Sequence, residues 1–237
     1  MVEHGEHRPL VRQAALACAL TLAAGEAAAC RLALILAVDV SSSVDAAEDR
    51  LQRGGLAAAL IAPEVMQAFL VSPRPVALAA FEWSGRYNQQ DLLDWTLIED
   101  EADLIAASRA IAESARSHDD FPTAMGYALG YASTRLREAP VCDRQTVDMA
   151  GDGVNNDGFG PADAYNAFPF DGVTVNGLLV DGTAVDENID LVSYYRNEVM
   201  QGPDAFVEVA DGFEEYEATM RRKLLRELGV VMVGDLP

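Results

Sequence analysis

Residues 32–43 read Leu-Ala-Leu-Ile-Leu-Ala-Val-Asp-Val-Ser-Ser-Ser, an apolar run closed by a carboxylate and hydroxyls. The run from Leu32 to Val38 is apolar throughout and has the length of a strand. It shows no alternation with polar residues, so it fits a strand covered on both faces, as in a parallel sheet. Asp39 ends the run, and hydroxyls follow at Ser41 and Ser43. In open α/β sheets, ligands bind beyond the carboxyl ends of the strands. The Asp39 loop is therefore the first place to look for chemistry.

Outward from this strand, the chain alternates strand with helix. A helix is expected over 46–61, with Pro63 marking its end. Strands follow at 76–81 and 91–98, separated by the Ser84-Gly85 turn. Helical patterns cover 101–116 and 124–137. Another apolar strand, 145–150, ends at Gly151-Asp152-Gly153. The remaining expectations are strands at 173–180 and 205–209 and helices at 189–200 and 213–228. This order predicts an α/β fold: a doubly wound, Rossmann-like and mostly parallel six-stranded sheet. Asp39 and Asp152 both follow strand ends, which places them on one edge of the domain.

The 237 residues suit one domain, and half of them are hydrophobic. With 17 basic and 38 acidic residues, the formal net charge is -21. That balance argues against a nucleic-acid backbone or an anionic membrane as partner. Residues 1–29 read as a secretory signal peptide: Arg8 and Arg12, a short apolar run from Ala14 to Ala24, and an Ala-x-Ala site before Cys30. The run is too short to span a bilayer, and nothing after it is long and apolar enough. The expected mature domain is 30–237, exported to the periplasm or beyond. Removing 1–29 discards Cys18 and leaves Cys30 and Cys142. An even pair in an exported chain invites a disulfide. Lipidation of Cys30 is the other reading and ranks lower, because Ala27 stands where such sites carry a branched apolar residue.

The candidate ligand set is Asp39, Ser41, Ser43, Thr123 and Asp152. All five offer hard oxygens, which suit a divalent cation such as Mg²⁺, Mn²⁺ or Ca²⁺ rather than zinc or copper. Each residue alone has a plainer reading. Ser41, Ser43 and Thr123 are N-cap candidates, and Asp152 beside Gly153 is a turn residue.

Asp39-x-Ser41-x-Ser43, then Thr123 with Gly126 after it, then Asp152-Gly153, resembles in order the metal-ion-dependent adhesion site of von Willebrand factor A domains. The likeness extends over the mature chain. Phe81-Glu82-Trp83-Ser84-Gly85, Gly151 to Asn156, Asn176-Gly177-Leu178 and Arg222 to Leu225 are similar to a bacterial subfamily of exported members. The resemblance implies a central first strand flanked by the second and fourth, with 91–98 as a short antiparallel edge. It implies that the five residues hold a cation, with Mg²⁺ expected. It also implies a protein partner that offers the metal an acidic side chain, and no catalysis. Gly151 departs from the family, in which many members carry a hydroxyl residue at that place. With the first and fourth strands adjacent, Cys30 and Cys142 fall together at the opposite edge, and a Cys30–Cys142 bridge is expected.

The strongest rival is a haloacid-dehalogenase-like phosphatase, which also starts from an Asp after the first strand. That chemistry needs a second Asp two residues on, where this chain has Ser41, and a mid-chain lysine, which it lacks. An EF-hand reading fails because Gly153 would hold the first ligand position. No Gly-x-Ser-x-Gly elbow or glycine-rich phosphate loop is present, and His118 reads as a loop residue. A structural scaffold with an empty metal site is the third reading.

Overall fold

The structure is a computed structural model describing residues 1–2, 30–181 and 190–229. The expected signal peptide lies outside the described residues, apart from Met1 and Val2. Six strands form one sheet in the order β3-β2-β1-β4-β5-β6. They are β1 (Leu32–Asp39), β2 (Val76–Ser84), β3 (Asn88–Ile98), β4 (Gln145–Gly151), β5 (Val173–Asp181) and β6 (Val207–Asp211). Only β3 runs antiparallel, paired with β2 at the edge. The helices are α1 (Ala46–Leu60), α2 (Pro63–Leu70), α3 (Glu101–Ala112), α4 (Met125–Glu138), α5 (Pro161–Ala167), α6 (Leu191–Tyr194) and α7 (Tyr216–Glu227).

The period of two in a strand explains the layers. Leu32, Leu34, Leu36 and Val38 of β1 point into one core, shared with α1, α2, α3 and α7. Ile35 and Ala37 point into a second core, beneath α4 and the segment around Tyr195. All eight residues of β1 are buried, so a strand with no polar face is central, as its sequence requires. At the edge, β3 mixes exposed and half-buried residues. Among the described residues, no helix is long and apolar enough to cross a membrane.

The expected elements are present, with shifted boundaries and two additions. Pro63 does not simply end a helix. It opens α2 at the first turn, where its missing N–H costs nothing. The short helix α5 likewise starts at Pro161. The expected helix 189–200 divides into α6 and a π-helical turn, Tyr195–Val199. Of the two adjacent glycines in α1, Gly54 and Gly55, only Gly55 is a packing feature: a Cβ on it would stand 3.1 Å from the Glu217 backbone nitrogen of α7.

Residues Leu34 to Val38 pair in parallel with Thr146 to Ala150. This register carries Cys30 and Cys142 to the amino end of the sheet, where they bridge, with Cα atoms 4.5 Å apart. A bridged Cys30 has no thiol left for a lipid.

The single lysine, Lys223, is fully buried on α7. Its Nζ lies 2.8 Å from Asp148 Oδ1 and 2.5 Å from Glu227 Oε1. Asn176 Nδ2 also donates to Glu227 Oε1, at 2.9 Å. One ammonium thus serves two buried carboxylates. Burial pushes the Asp148 carboxyl up to about 7, against the pull of Lys223.

Two outcomes are expected. Alkylation without reductant should leave Cys30 and Cys142 unmodified in a peptide map, and two labelled thiols there would refute the bridge. The bridge closes a loop with a sequence separation of 112. Its loss in Cys142→Ser should cost about 4–5 kcal/mol in the chain-entropy account. The second outcome concerns Asp148. The folded chain holds there a proton that the unfolded chain releases near pH 4, so this contribution to stability is complete below that pH. It is lost as pH rises to about 7. The melting temperature of the native sequence should fall relative to Asp148→Asn across that window, and a pH-independent gap between them would contradict the assignment.

Candidate metal centre

Three loops meet at the carboxyl ends of β1 and β4. The first runs from Asp39 to Asp45. Its form follows from local hydrogen bonds: the Ser41 N–H donates to Asp39 Oδ1 at 2.7 Å, and the Val44 N–H donates to the Ser41 carbonyl at 3.0 Å. Helix α1 is capped by Asp45, whose carboxylate accepts from the Ala47 and Glu48 N–H groups in a capping box. The cap position is thus filled, and Ser41 and Ser43 are free for other work. Thr123 does not cap helix α4, whose N-cap is Ala124 and whose Gly126 N–H donates to Asn155 Oδ1 at 3.4 Å. The Thr123 hydroxyl turns instead to Ser41 Oγ, at 3.1 Å.

The five candidate donors form one connected group. Ser41 Oγ lies 3.2 Å from Ser43 Oγ. Ser43 Oγ donates to Asp152 Oδ1 at 2.8 Å. Asp39, Ser41, Thr123 and Asp152 are buried, while Ser43 is exposed, so the group opens to solvent on one side. Asp39 Oδ2 is buried without any hydrogen-bond partner. Burial, and then the neighbouring Asp152 carboxylate, push the Asp39 carboxyl up to about 8, although the Ser41 N–H pulls it down. An all-oxygen set with an orphaned, buried carboxylate oxygen fits a hard cation. Among the described residues, no cluster of three or more His, Cys, Asp or Glu side chains is arranged to hold a metal. This group has two carboxylates, and its other donors are hydroxyls.

Several residues to which the sequence assigns no role hold the loops in place. Gln52 Nε2 donates to the Asp39 carbonyl at 2.7 Å. Arg116 donates to the Val40 and Ser41 carbonyls at 2.8 and 3.0 Å. Asn156 Oδ1 accepts from the Thr123 N–H at 2.9 Å, and the Asn156 N–H returns a bond to the Thr123 carbonyl, also at 2.9 Å. Glu82 accepts from Arg53 at 2.6 Å and from the Ser117 N–H at 2.7 Å, which ties β2 to α1 and to the loop bearing Arg116. A double-buried strand ending in a charged residue was the one available signal, and Glu82 in Phe81-Glu82-Trp83 carries it. The others are ordinary polar residues whose partners lie far off in the chain. His118 is exposed and packs edge-on against Phe121, as a loop residue should.

Gly151 has a specific neighbour. A Cβ built on it would stand 2.8 Å from the Tyr195 hydroxyl and 3.0 Å from Asp39 Oδ2. The place of the missing side chain is thus taken by a hydroxyl from the π-helical turn.

The sheet order, the antiparallel edge and the flanking helices are those of a von Willebrand factor A domain, and solved structures agree. Proximal thread matrix protein 1 from the mussel byssus is 13% identical, with a TM-score of 0.61 over 86% of this chain and 49% of that one. A further structure of that protein, 14% identical with a TM-score of 0.57 over 86% of this chain and 50% of that one, has a zinc-occupied adhesion-site motif. A von Willebrand factor type A structure from Catenulispora acidiphila is 16% identical, with a TM-score of 0.60 over 84% of this chain and 43% of that one. The pilus adhesin SpaC from Lactobacillus rhamnosus GG is 14% identical, with a TM-score of 0.60 over 84% of this chain and 31% of that one. The chain spans half or less of each of these proteins, and the likeness is one of fold. No curated protein matches the sequence. A family model does match, over residues 29–232, and the chain belongs to that family, described as "Protein of unknown function (DUF1194)".

Proposed function

We propose that this chain is an exported, non-enzymatic module that binds a protein partner through a divalent cation. Asp39, Ser41, Ser43, Thr123 and Asp152 hold the cation, which is Mg²⁺, with Mn²⁺ and Ca²⁺ as alternatives. The observation that carries the reading is the connected oxygen group around the orphaned Asp39 Oδ2. Burial and the Asp152 carboxylate raise the cost of ionising Asp39, and a dication relieves it. Only two formal charges face the ion, so it stays electrophilic. The exposed side at Ser43 leaves room for a carboxylate from a partner. The zinc-occupied motif in the mussel protein and the likeness to the pilus adhesin SpaC support a metal-assisted binding role.

Export is supported by the signal-like segment at 1–29 and by the disulfide, which persists in oxidising compartments. The phosphatase reading loses ground, because Lys223 is engaged with Asp148 and Glu227 and is not available to a phosphate.

Calorimetric titration of the native domain with Mg²⁺, Mn²⁺ and Ca²⁺ is the deciding experiment. Binding is expected at millimolar or lower concentration, and Ser41→Ala with Ser43→Ala should abolish it while leaving the melting temperature near that of the native chain. No binding by the native domain would support an empty scaffold instead. Turnover of a generic aryl phosphate, lost in Asp39→Asn, would turn the reading toward an enzyme. Protein captured from envelope extract should be released by chelator. N-terminal sequencing of the exported chain should begin at Cys30, and an intact Met1 there would overturn export.

A further inference from the structure

Tyr195 has a ring in one core and a hydroxyl in another environment. The side chain is fully buried, and its hydroxyl has no hydrogen-bond partner. A phenylalanine in its place would pack the same ring without the cost of burying an unpaired hydroxyl, so the oxygen needs a use. The sheet is cut to receive this residue. Gly177 on β5 is the register partner of Met149, two residues before Gly151 on β4, which places both glycines along one face. A Cβ on Gly177 would stand 2.7 Å from Tyr195 Cδ1, and one on Gly151 would stand 2.8 Å from the Tyr195 hydroxyl. Two neighbouring strands thus give up their side chains where the tyrosine passes.

What lies at the end of that slot is Asp39. Its Oδ2 is 3.0 Å from the same Gly151 position that the Tyr195 hydroxyl approaches to 2.8 Å. One atom is a donor and the other an acceptor, and both are buried and unpartnered. The turn that presents the tyrosine is π-helical, closed by the Met200 N–H to the Tyr195 carbonyl at 2.9 Å. Such turns re-aim a side chain at the cost of regular helix, and they recur at functional sites.

We infer that Tyr195 is a positioning residue of the cation site: its hydroxyl donates to Asp39 Oδ2 when the carboxylate is ionised, orienting Asp39 in the room that Gly151 leaves. This rests on the cation-binding reading above. Burial keeps the phenol protonated, as a donor must be. Outer contacts of this kind typically change metal affinity by roughly 10- to 100-fold.

The test is Mn²⁺ titration of three proteins: the native domain, Tyr195→Phe, and Gly151→Ser with Tyr195→Phe. Tyr195→Phe should lose about tenfold or more in affinity, with a cation-free melting temperature close to the native one. In the double variant, a serine hydroxyl at 151, whose Cβ would stand 3.0 Å from Asp39 Oδ2, replaces the phenol, and affinity should recover. The tyrosine near-UV difference band that Mn²⁺ induces in the native domain should be absent from Tyr195→Phe. Unchanged affinity in Tyr195→Phe overturns this inference alone and leaves the cation site standing. So does a loss that the double variant fails to recover, which would mark the tyrosine as packing only. If the native domain binds no Mn²⁺, the cation reading falls and this inference falls with it.

Discussion

The parallel pairing of β1 with β4 is the constraint on which the rest depends. It sets Leu34 beside Thr146 and Val38 beside Ala150. Everything at the carboxyl end follows from it, because Asp39 and Asp152 leave adjacent strands at the same level. Everything at the amino end follows too, because Cys30 and Cys142 enter those strands side by side and bridge. One pairing thus closes the sheet covalently at one end and gathers two carboxylates at the other. A slip of one residue would turn every side chain of β1 to the wrong core. The alternation of Leu34 and Leu36 with Ile35 and Ala37 between two cores forbids it.

Placing two buried carboxylates together is costly, and the molecule manages the cost in two different ways. At Asp148, the answer is internal: Lys223 supplies an ammonium from α7, and Glu227 and Asn176 complete the group. At Asp39 no ammonium is offered. The nearest help is a single backbone N–H from Ser41, hydroxyls, and the Arg116 guanidinium, which spends its bonds on the Val40 and Ser41 carbonyls. The contrast separates a structural charge cluster from a site with charge to spare. The first has an ammonium packed against its carboxylates. The second retains an acceptor with nothing to accept from.

Much of this was legible before any coordinates. A doubly buried strand is apolar throughout, and Leu32 to Val38 announces itself by that alone. The strand ends place Asp39 and Asp152 on one edge for a topological reason that holds for any parallel sheet. Less was legible about boundaries. The two prolines that open α2 and α5 read equally well as helix ends or helix starts, and only the packing of α2 against α7 and of α5 against α4 decides between them. Gln52 and Arg116 carried no signal, since a polar residue in a sequence does not name its partner, and Asn156 stood in a stretch quoted for its resemblance but with no role. Gly151 carried a partial signal: the sequence shows the missing side chain, and only the packed chain shows that a hydroxyl from 44 residues further along occupies the space.

Readable from the chain alone were the class of fold, the central strand, the oxygen-rich ligand candidates and the two cysteines available to bridge. These depend on hydrophobic period, donor chemistry and order along the chain, all of which are local properties. The tertiary structure alone decided which hydroxyls cap helices and which join the carboxylates, because Asp45 takes the cap and releases Ser41 and Ser43. It also decided that the one lysine is structural and that Tyr195 reaches the site from a turn remote in sequence. Those outcomes depend on which groups compete for the same few ångströms, and that competition exists only once distant segments have been packed together.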